Sequence, residues 1–268
     1  MAELRAGNFY GAIRGKREQG GAIFTDLVHT SPRRLPAHSH ELPFVALLLD
    51  GSYGERYRRQ EKQFTPFTAM YRPAGIPHQD EIGPRGVRFF EIEILPQWQK
   101  SVAECSGKLA GGYDDAGGGQ LLWLGLKLFY ATRDLSCDGM TVESLMAELM
   151  GVLAHTPGER AVHPPYWLRR VMEKIRTQYA EKLTLAELSQ EAGVHPVHLS
   201  RVFRHCVGMG LGEYIHRLRL REACERMLHQ EQSICEISHA TGFSDQSHFT
   251  RSFYRFAGTS PGRFRAIL

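Results

Sequence analysis

Hydrophobic positions change their spacing along this chain, and the change divides it. From about Ala22 to Leu95 they come in short runs: Phe44 to Leu49 closed by Asp50-Gly51, then Tyr53 to Tyr57, Phe64 to Tyr71 and Val87 to Leu95. These runs are rich in aromatic or β-branched residues and bounded by Gly or Pro, which predicts strands. Many short strands predict a barrel or a double sheet. From Gln120 to Leu135 the apolar residues Leu121, Leu122, Trp123, Leu124, Leu126, Leu128, Phe129 and Tyr130 go nearly all round a helix, so it needs cover on two sides. Its own barrel and a partner subunit are the expected cover, with Leu124 and Leu128 toward the partner. Thr141 to Leu153 shows one apolar stripe behind a threonine cap, which core packing explains.

The last third repeats itself. Thr184-Leu185-Ala186-Glu187-Leu188 leads to Ala192-Gly193-Val194 and His198-Leu199-Ser200-Arg201-Val202-Phe203; Ser233-Ile234-Cys235-Glu236-Ile237 leads to Thr241-Gly242-Phe243 and His248-Phe249-Thr250-Arg251-Ser252-Phe253. The offset is 49 at the glycines and 50 from the histidines onward. Each copy opens with a capping box, Thr184-x-x-Glu187 or Ser233-x-x-Glu236, whose hydroxyl and carboxylate satisfy the free amides of a helix start. Leu185, Leu188 and Ala192, and in the second copy Ile234, Ile237 and Thr241, give the buried stripe of a short helix. Gly193 and Gly242 sit where a left-handed residue ends that helix. A second helix start follows at once, His195-Pro196 in one copy and Ser244-Asp245 in the other. Helix, glycine turn, helix is the plan whose second helix enters the major groove of DNA.

With Leu199, Val202, Phe203, Phe249 and Phe253 inward, the outward residues are Val197, Ser200, Arg201 and Arg204 in the first unit and Gln246, Ser247, Thr250, Arg251 and Arg255 in the second. Arginine can bond two acceptors of guanine, glutamine can bond adenine, and Ser or Thr can bond bases or phosphates. One such face alone would read as ordinary solvation; a duplicated one does not. Between the copies a long helix with apolar residues at 214, 215, 218, 223, 227 and 228 sets the spacing of the two probes. Its arginines 217, 219, 221 and 226 can neutralise phosphates, although their acidic neighbours fit a solvated face equally. Charge agrees: residues 165–268 carry 15 Lys and Arg against 10 Asp and Glu, residues 1–164 carry 18 against 19, so the whole excess of +4 lies beside the repeat.

From Trp167 to Arg265 these residues resemble the DNA-binding domain of the AraC/XylS family of bacterial transcription regulators. The most specific stretch is Ala240-Thr241-Gly242-Phe243-Ser244-Asp245-Gln246-Ser247-His248-Phe249-Thr250-Arg251, continued by Phe253, Phe256, Gly258, Ser260-Pro261 and Phe264-Arg265. The resemblance implies two helix-turn-helix subdomains on a linking helix, with base contacts at Val197, Ser200, Arg201, Gln246, Ser247, Thr250 and Arg251. It implies double-stranded DNA, a small-molecule effector, a homodimer and RNA polymerase as partners, and activation more often than repression. Ser252 replaces a larger apolar residue, and His195 stands where serine is usual before Pro196.

The front half carries His38-Ser39-His40, Gly51 and Pro73-Ala74-Gly75-Ile76-Pro77-His78, an order that resembles a cupin β-barrel. A catalytic cupin would hold a metal on two clustered histidines, a glutamate and a later histidine. His38, His40 and His78 match the histidines, but the glutamate position, seven residues before Gly51, is Phe44. Three imidazoles can hold zinc, copper or nickel, or can serve only as hydrogen-bonding groups; no cofactor is expected. The barrel mouth is the expected effector pocket, with His38, His40, Arg72 and His78 as polar anchors and Phe44, Tyr53 and Tyr71 as walls. The prolines and glycine of His155 to Pro165 mark the joint between domains. Cysteines 105, 137, 206, 224 and 235 form no CxxC pair and fit reduced thiols. No segment has the order of a signal peptide or membrane-spanning length, so a cytoplasmic, membrane-free protein is expected.

The predicted fold class is therefore α+β: a cupin-like ligand-sensing and dimerisation domain over residues 1–158, and an all-α DNA-binding domain over 159–268. The predicted function is a DNA-binding transcription regulator, not an enzyme. The rivals are a cupin-type metal-dependent enzyme, against which Phe44 speaks, and a DNA-binding protein with a ligand-blind barrel.

Overall fold

Side chains alternate across a strand, so a sheet with helices on one face and a closed interior on the other is apolar on both. The front of the chain is built this way. In the computed structural model, which describes residues 2–57, 60–106, 113–115, 119–134, 137–155 and 164–268, the chain divides into two compact units. The first holds Met1–Glu159 and the second Arg160–Arg255 with Ser260–Ala266. Residues 156–163 of the expected joint lie outside the described residues, as does the side chain of Cys105.

The first unit contains β1 (Ala2–Leu4), β2 (Ala12–Gln19), β3 (Ala22–His29), β4 (Arg33–Arg34), β5 (His38–His40), β6 (Phe44–Tyr57), β7 (Gln60–Phe64), β8 (Thr68–Arg72), β9 (His78–Ile94), α1 (Pro96–Ser106), β10 (Tyr113–Asp115), α2 (Gln120–Ala131) and α3 (Gly139–His155). The strands form one curled sheet, a half-barrel, in the order β1-β5-β9-β6-β8-β10, with β2 joined through β3 to β9, β4 to β9 and β7 to β6. Its spine is the antiparallel pair β6 and β9, in register from Phe44↔Glu93 to Tyr57↔His78.

Three strand boundaries differ from the sequence reading, each for a local reason. The runs either side of Asp50-Gly51 are one strand, because Gly51 at φ 90 forms a bulge instead of a stop. A Cβ on Gly51 would lie 2.1 Å from the Gly86 carbonyl oxygen, so the two backbones pass closer than any side chain permits. Conversely, Phe64 to Tyr71 is two strands, broken at Phe67 (φ 56), whose amide donates to the Leu48 carbonyl at 2.7 Å. Strands β1 and β2 lack an apolar signature. The side chains of β2 are exposed or half-buried along its length, since it is an edge strand paired only to β3.

On the inner face Phe44, Ala46, Leu48, Tyr53, Met70 and Phe89 form a core cluster. On the outer face Val45, Leu47, Ile92 and Ile94 are fully buried. Helix α2 packs over β6, β8 and β10 and is covered in turn by α3. Gly125 of α2 permits this, as a Cβ there would sit 2.6 Å from Leu47 Cδ1. Leu124 is 3% exposed and Leu128 is fully buried within the single chain. These two residues therefore belong to the subunit's own core and do not offer a face to a partner, correcting that expectation. Helix α3 also begins earlier than its pattern predicts: Asp138 Oδ1 accepts from the Thr141 amide at 2.8 Å, so Asp138 is the cap.

The second unit is helical: α4 (Tyr166–Thr177), α5 (Leu185–Ala192), α6 (Pro196–Val207), α7 (Leu211–Leu228), α8 (Ile234–Ala240), α9 (Gln246–Ala257) and α10 (Pro261–Ile267). Leu168, Val171, Ile175, Leu188, Leu199, Phe203, Tyr214 and Leu218 form one core. In the second half a chain of rings runs from Phe243 through Phe249 and Phe253 to Phe264, with centroids 5.1, 5.7 and 5.2 Å apart. Leu185 is 37% exposed and not part of the buried stripe. Leu183, just before the cap, packs into the core that holds Leu188, a staple that fixes the entry of the chain. No described helix is long and apolar enough to cross a membrane.

Gly51→Ala is expected to lower unfolding free energy by about 2 kcal/mol or more, from positive-φ strain and backbone overlap. Gly15→Ala, where a Cβ meets nothing within 4 Å, should stay within about 0.5 kcal/mol of the parent. Urea denaturation of both variants checks the contrast.

Candidate functional site

Each helix-turn-helix unit is held open by its caps. Thr184 and Ser233 both form complete capping boxes, with the Glu187 and Glu236 amides donating to the hydroxyls at 3.2 and 3.1 Å. The turns contain Gly193 at φ 66 and Gly242 at φ 82. The probe helices α6 and α9 then start differently. His195 caps α6 with its ring, Nδ1 accepting from the Val197 amide at 3.3 Å, so histidine does the work of the usual serine. In α9 the cap is Asp245, whose Oδ1 accepts from the His248 amide at 2.7 Å; Ser244 supports it by donating to Oδ2 at 3.0 Å. Asp245 is thus the cap rather than a first-turn residue after a serine cap.

The residues singled out from sequence lie outward. Val197 is 69% exposed. Ser200, Arg201, Arg204, Gln246, Ser247, Arg251 and Arg255 are exposed and Thr250 is half-buried, while Leu199, Phe203, Phe249 and Phe253 are fully buried. Val197 and Ser247, Ser200 and Thr250, and Arg201 and Arg251 occupy corresponding places on the two probes.

What ties the two units together is an arginine of the linking helix. Arg219 Nε donates to the Tyr179 carbonyl at 2.7 Å and Nη2 to the Glu181 carbonyl at 2.9 Å, both after α4. Its Nη1 donates to the Gly242 carbonyl at 2.7 Å, in the second turn. At the same place a Cβ on Gly242 would lie 2.4 Å from the Ala180 carbonyl oxygen. Gly242 is glycine for two reasons, a left-handed φ and a neighbouring backbone. Arg219 is therefore a clasp inside the domain and not a phosphate contact. Arg217 and Arg221 pair with Glu213 and Glu222 on their own helix at 2.7 and 2.8 Å, and Arg226 reaches Gln232 at 3.4 Å.

In the first unit the inner face of the sheet encloses a cavity of about 40 Å³. His38, His40, Phe44, Tyr53, Arg72 and His78 all line it. Tyr71 does not: Met70 and Arg72 point in, so their neighbour on β8 points to the other face, correcting its assignment as a wall. Arg72 is not a free anchor either, because its Nε donates to both Glu55 oxygens at 2.9 and 3.1 Å and its guanidinium lies 4.6 Å from the Tyr57 ring centre.

Sequence reasoning missed the carboxylates. Glu55, Asp80 and Glu91 also line the cavity, against Arg72 as the one Lys or Arg of the described lining. Asp80 was legible, since it lies two residues after His78 on one strand and so shares its face. Glu55 is its register partner across the ladder. Tyr53 donates its hydroxyl to Asp80 Oδ1 at 2.7 Å, and burial together with Asp80 holds that phenol well above its usual range. Burial likewise raises Glu91 well above the carboxylate range, with Glu93, Asp80 and Glu55 adding to it, and Glu91 Oε2 has no hydrogen-bond partner. Burial pushes His40 down to about 2, so its ring is neutral, and His40 Nδ1 also lacks a partner. His38 is lowered by burial in spite of Asp80. Phe9 and Tyr10 from the segment after β1 close the cavity, with ring centres 5.0 Å from His40 and 5.0 Å from His38 respectively.

The residues present fit a metal of the kind a cupin-like fold implies. His38 Nδ1 lies 2.9 Å from the Pro36 carbonyl and His78 Nδ1 3.3 Å from that of Ile76, so in the neutral ring Nδ1 is the donor and Nε2 is the nitrogen left to bind an ion. The two Nε2 atoms face Asp80, at 3.6 and 3.9 Å.

Comparison with known proteins bears on the second unit. A family model described as a helix-turn-helix domain matches residues 188–267. The chain is similar to PqrA of Proteus vulgaris, described as a probable transcription factor, at 35% identity over 92 residues, 34% of this chain and 75% of that protein. It is similar to AarP of Providencia stuartii, described as an HTH-type transcriptional activator, at 33% identity over 98 residues, 37% of this chain and 73% of that protein. It also matches the HTH-type transcriptional regulator GlxA of Rhizobium meliloti at 38% identity over 103 residues, 38% of this chain and 31% of that protein. The chain thus spans about three quarters of two of these relatives and about a third of the other.

Arg219→Ala should lower the unfolding free energy by about 2 to 3 kcal/mol through loss of charge-assisted bonds and the carbonyls left behind. Arg219→Lys should recover little of it, because one ammonium cannot reach three separated acceptors as a planar fork can. Thermal denaturation distinguishes the two; full recovery by lysine would contradict the clasp.

Proposed function

The chain belongs to the AraC family of transcription regulators, and from that premise we propose that it reads double-stranded DNA with α6 and α9 together, under control of an effector in the half-barrel. The observation that carries this reading is the pair of matched outward faces, Val197, Ser200 and Arg201 on one probe and Ser247, Thr250 and Arg251 on the other, in a domain where Arg219 clasps the segment after α4 to the second turn. Two probes on one side of a duplex must enter major grooves about one helical turn, roughly 34 Å, apart. A clasp keeps that spacing from being lost to motion between the units. Arg201, Arg251 and Gln246 are the proposed base readers; Arg204 and Arg255 lie on the same exposed faces, suited to phosphate.

Control is by linkage. An effector shifts promoter occupancy, or contact with RNA polymerase, only by its difference in affinity between two arrangements of the protein. The proposed regulator works in the cytoplasm as a homodimer, activates transcription and catalyses no reaction.

The test begins with selection of bound sequences from random DNA. On the selected site Arg251→Ala should lose roughly 1 to 3 kcal/mol of binding and relax preference at one base pair. Arg255→Ala should weaken selected and random DNA alike and flatten the dependence on salt. Equal losses on both DNAs for Arg251→Ala would contradict its placement at a base.

A further inference from the structure

We propose that the effector is a divalent first-row transition-metal ion, held by His38 Nε2, His78 Nε2 and an Asp80 carboxylate oxygen, with His40 as the fourth donor. The inference rests on the regulatory reading above for the word effector, and on the cavity alone for the ion.

Size decides against a larger ligand. Sites for small organic molecules occupy roughly 300 to 1,000 Å³, whereas this cavity has about 40 Å³. That is room for an ion with water around it and not for a drug-sized molecule.

Donor geometry is the second argument. Metal–nitrogen and metal–oxygen bonds of about 2.0 to 2.2 Å in a tetrahedron place neighbouring donors roughly 3.4 Å apart. The Nε2 atoms of His38 and His78 stand 3.6 and 3.9 Å from the two Asp80 oxygens. Two overlapping groups meet at His78: a ligand atom from each of His38, His40 and His78 falls within 4.8 Å of the others, and so does one from each of Glu55, His78 and Asp80. The rings of His38 and His78 are already oriented by carbonyl partners, as metal-bound histidines are.

Charge is the third. The glutamate that the cupin pattern asks for is Phe44, so the histidines alone would be a neutral set. Asp80, coming from β9, restores one anion, and Tyr53 anchors it by donating to its Oδ1. Arg72 is engaged by Glu55. His40, 4% exposed with an unpartnered ring nitrogen, is the kind of buried polar group that calls for a ligand. Imidazole and carboxylate without thiolate select zinc, nickel, cobalt, copper or iron(II) over calcium or magnesium.

The full-length protein, stripped with chelator, would be titrated with Zn²⁺ by calorimetry and with Co²⁺ by visible absorption. One ion per chain and a cobalt spectrum of nitrogen and oxygen ligation are expected. Asp80→Asn and His38→Gln should each weaken Zn²⁺ binding at least 100-fold. His29→Gln, whose ring lines the same cavity but is held by Arg33 at 2.7 Å, should bind as the parent does, separating a lost ligand from a disturbed sheet. Zn²⁺ should change affinity for the selected DNA site at least fivefold in the parent and leave Asp80→Asn unresponsive. Absent binding, or equal binding in the parent and Asp80→Asn, overturns the metal site even if DNA is bound normally. Binding with an unchanged DNA affinity overturns the effector role. Failure to bind any selected DNA, with metal uptake intact, overturns the regulatory reading and leaves the ion site standing.

Discussion

Three backbone carbonyls from two separate turns converge on one guanidinium, and the geometry of the second unit depends on that convergence. A helix-turn-helix is small, and its own core fixes only its own helices. Relative placement of two such units needs something between them, and Arg219 with the close pass of Gly242 over Ala180 supplies it. A planar fork suits the task because its donors are fixed in direction before any bond forms. Two of the three bonds are partly buried, and partly buried carbonyls left without donors are costly, so the clasp is strongest as a set. This is a different use of arginine from the one its position in a basic helix suggests.

The half-barrel shows the opposite economy. Its interior concentrates acid where a purely structural core would have none: Glu55, Asp80, Glu91 and Glu93 are each at most 9% exposed. Buried carboxylates are expensive unless paired or protonated. Glu55 is paired by Arg72. Glu93, raised to about 7 by burial, takes the Gly7 amide at 2.7 Å and so anchors the segment that carries Phe9 and Tyr10 over the cavity. Burial pushes Glu91 well above the carboxylate range, toward its neutral form. Among the described residues Asp80 takes a hydrogen bond from the Tyr53 phenol and has the His38 and His78 rings within 4 Å, the arrangement on which the proposed ion site rests.

Much of the second unit was legible because its signals are local. Capping boxes, turn glycines and a 3.6-residue stripe lie within a few residues of each other, and Thr184, Gly193, Ser233 and Gly242 do what their spacing predicts. The exceptions are equally local: Leu183 packs where Leu185 was expected, and Asp245 caps where Ser244 was. The first unit was legible only in outline. The pairing of β6 with β9 spans positions as far apart as Phe44 and Glu93, so no short window reveals that Glu55 will face Asp80. Strand β2 is polar because it is an edge, and polarity hid it. The histidine pattern was visible, and Asp80 beside it could have been read from the strand alternation, but Glu55 needed the ladder to be drawn.

The ladder also governs how the chain comes into being. Ala22 pairs with Ile94, and every strand that meets β9 must wait until that strand exists. Closing such distant pairs is slow, and waiting strands expose sticky edges. The helical unit makes its contacts among near neighbours and collapses quickly once its residues are released. A ribosome therefore delivers the slow half first and the fast half last. Aggregation on heating or overproduction is therefore expected to start from the sheet, and the helical unit made by itself is expected to be the easier material to prepare.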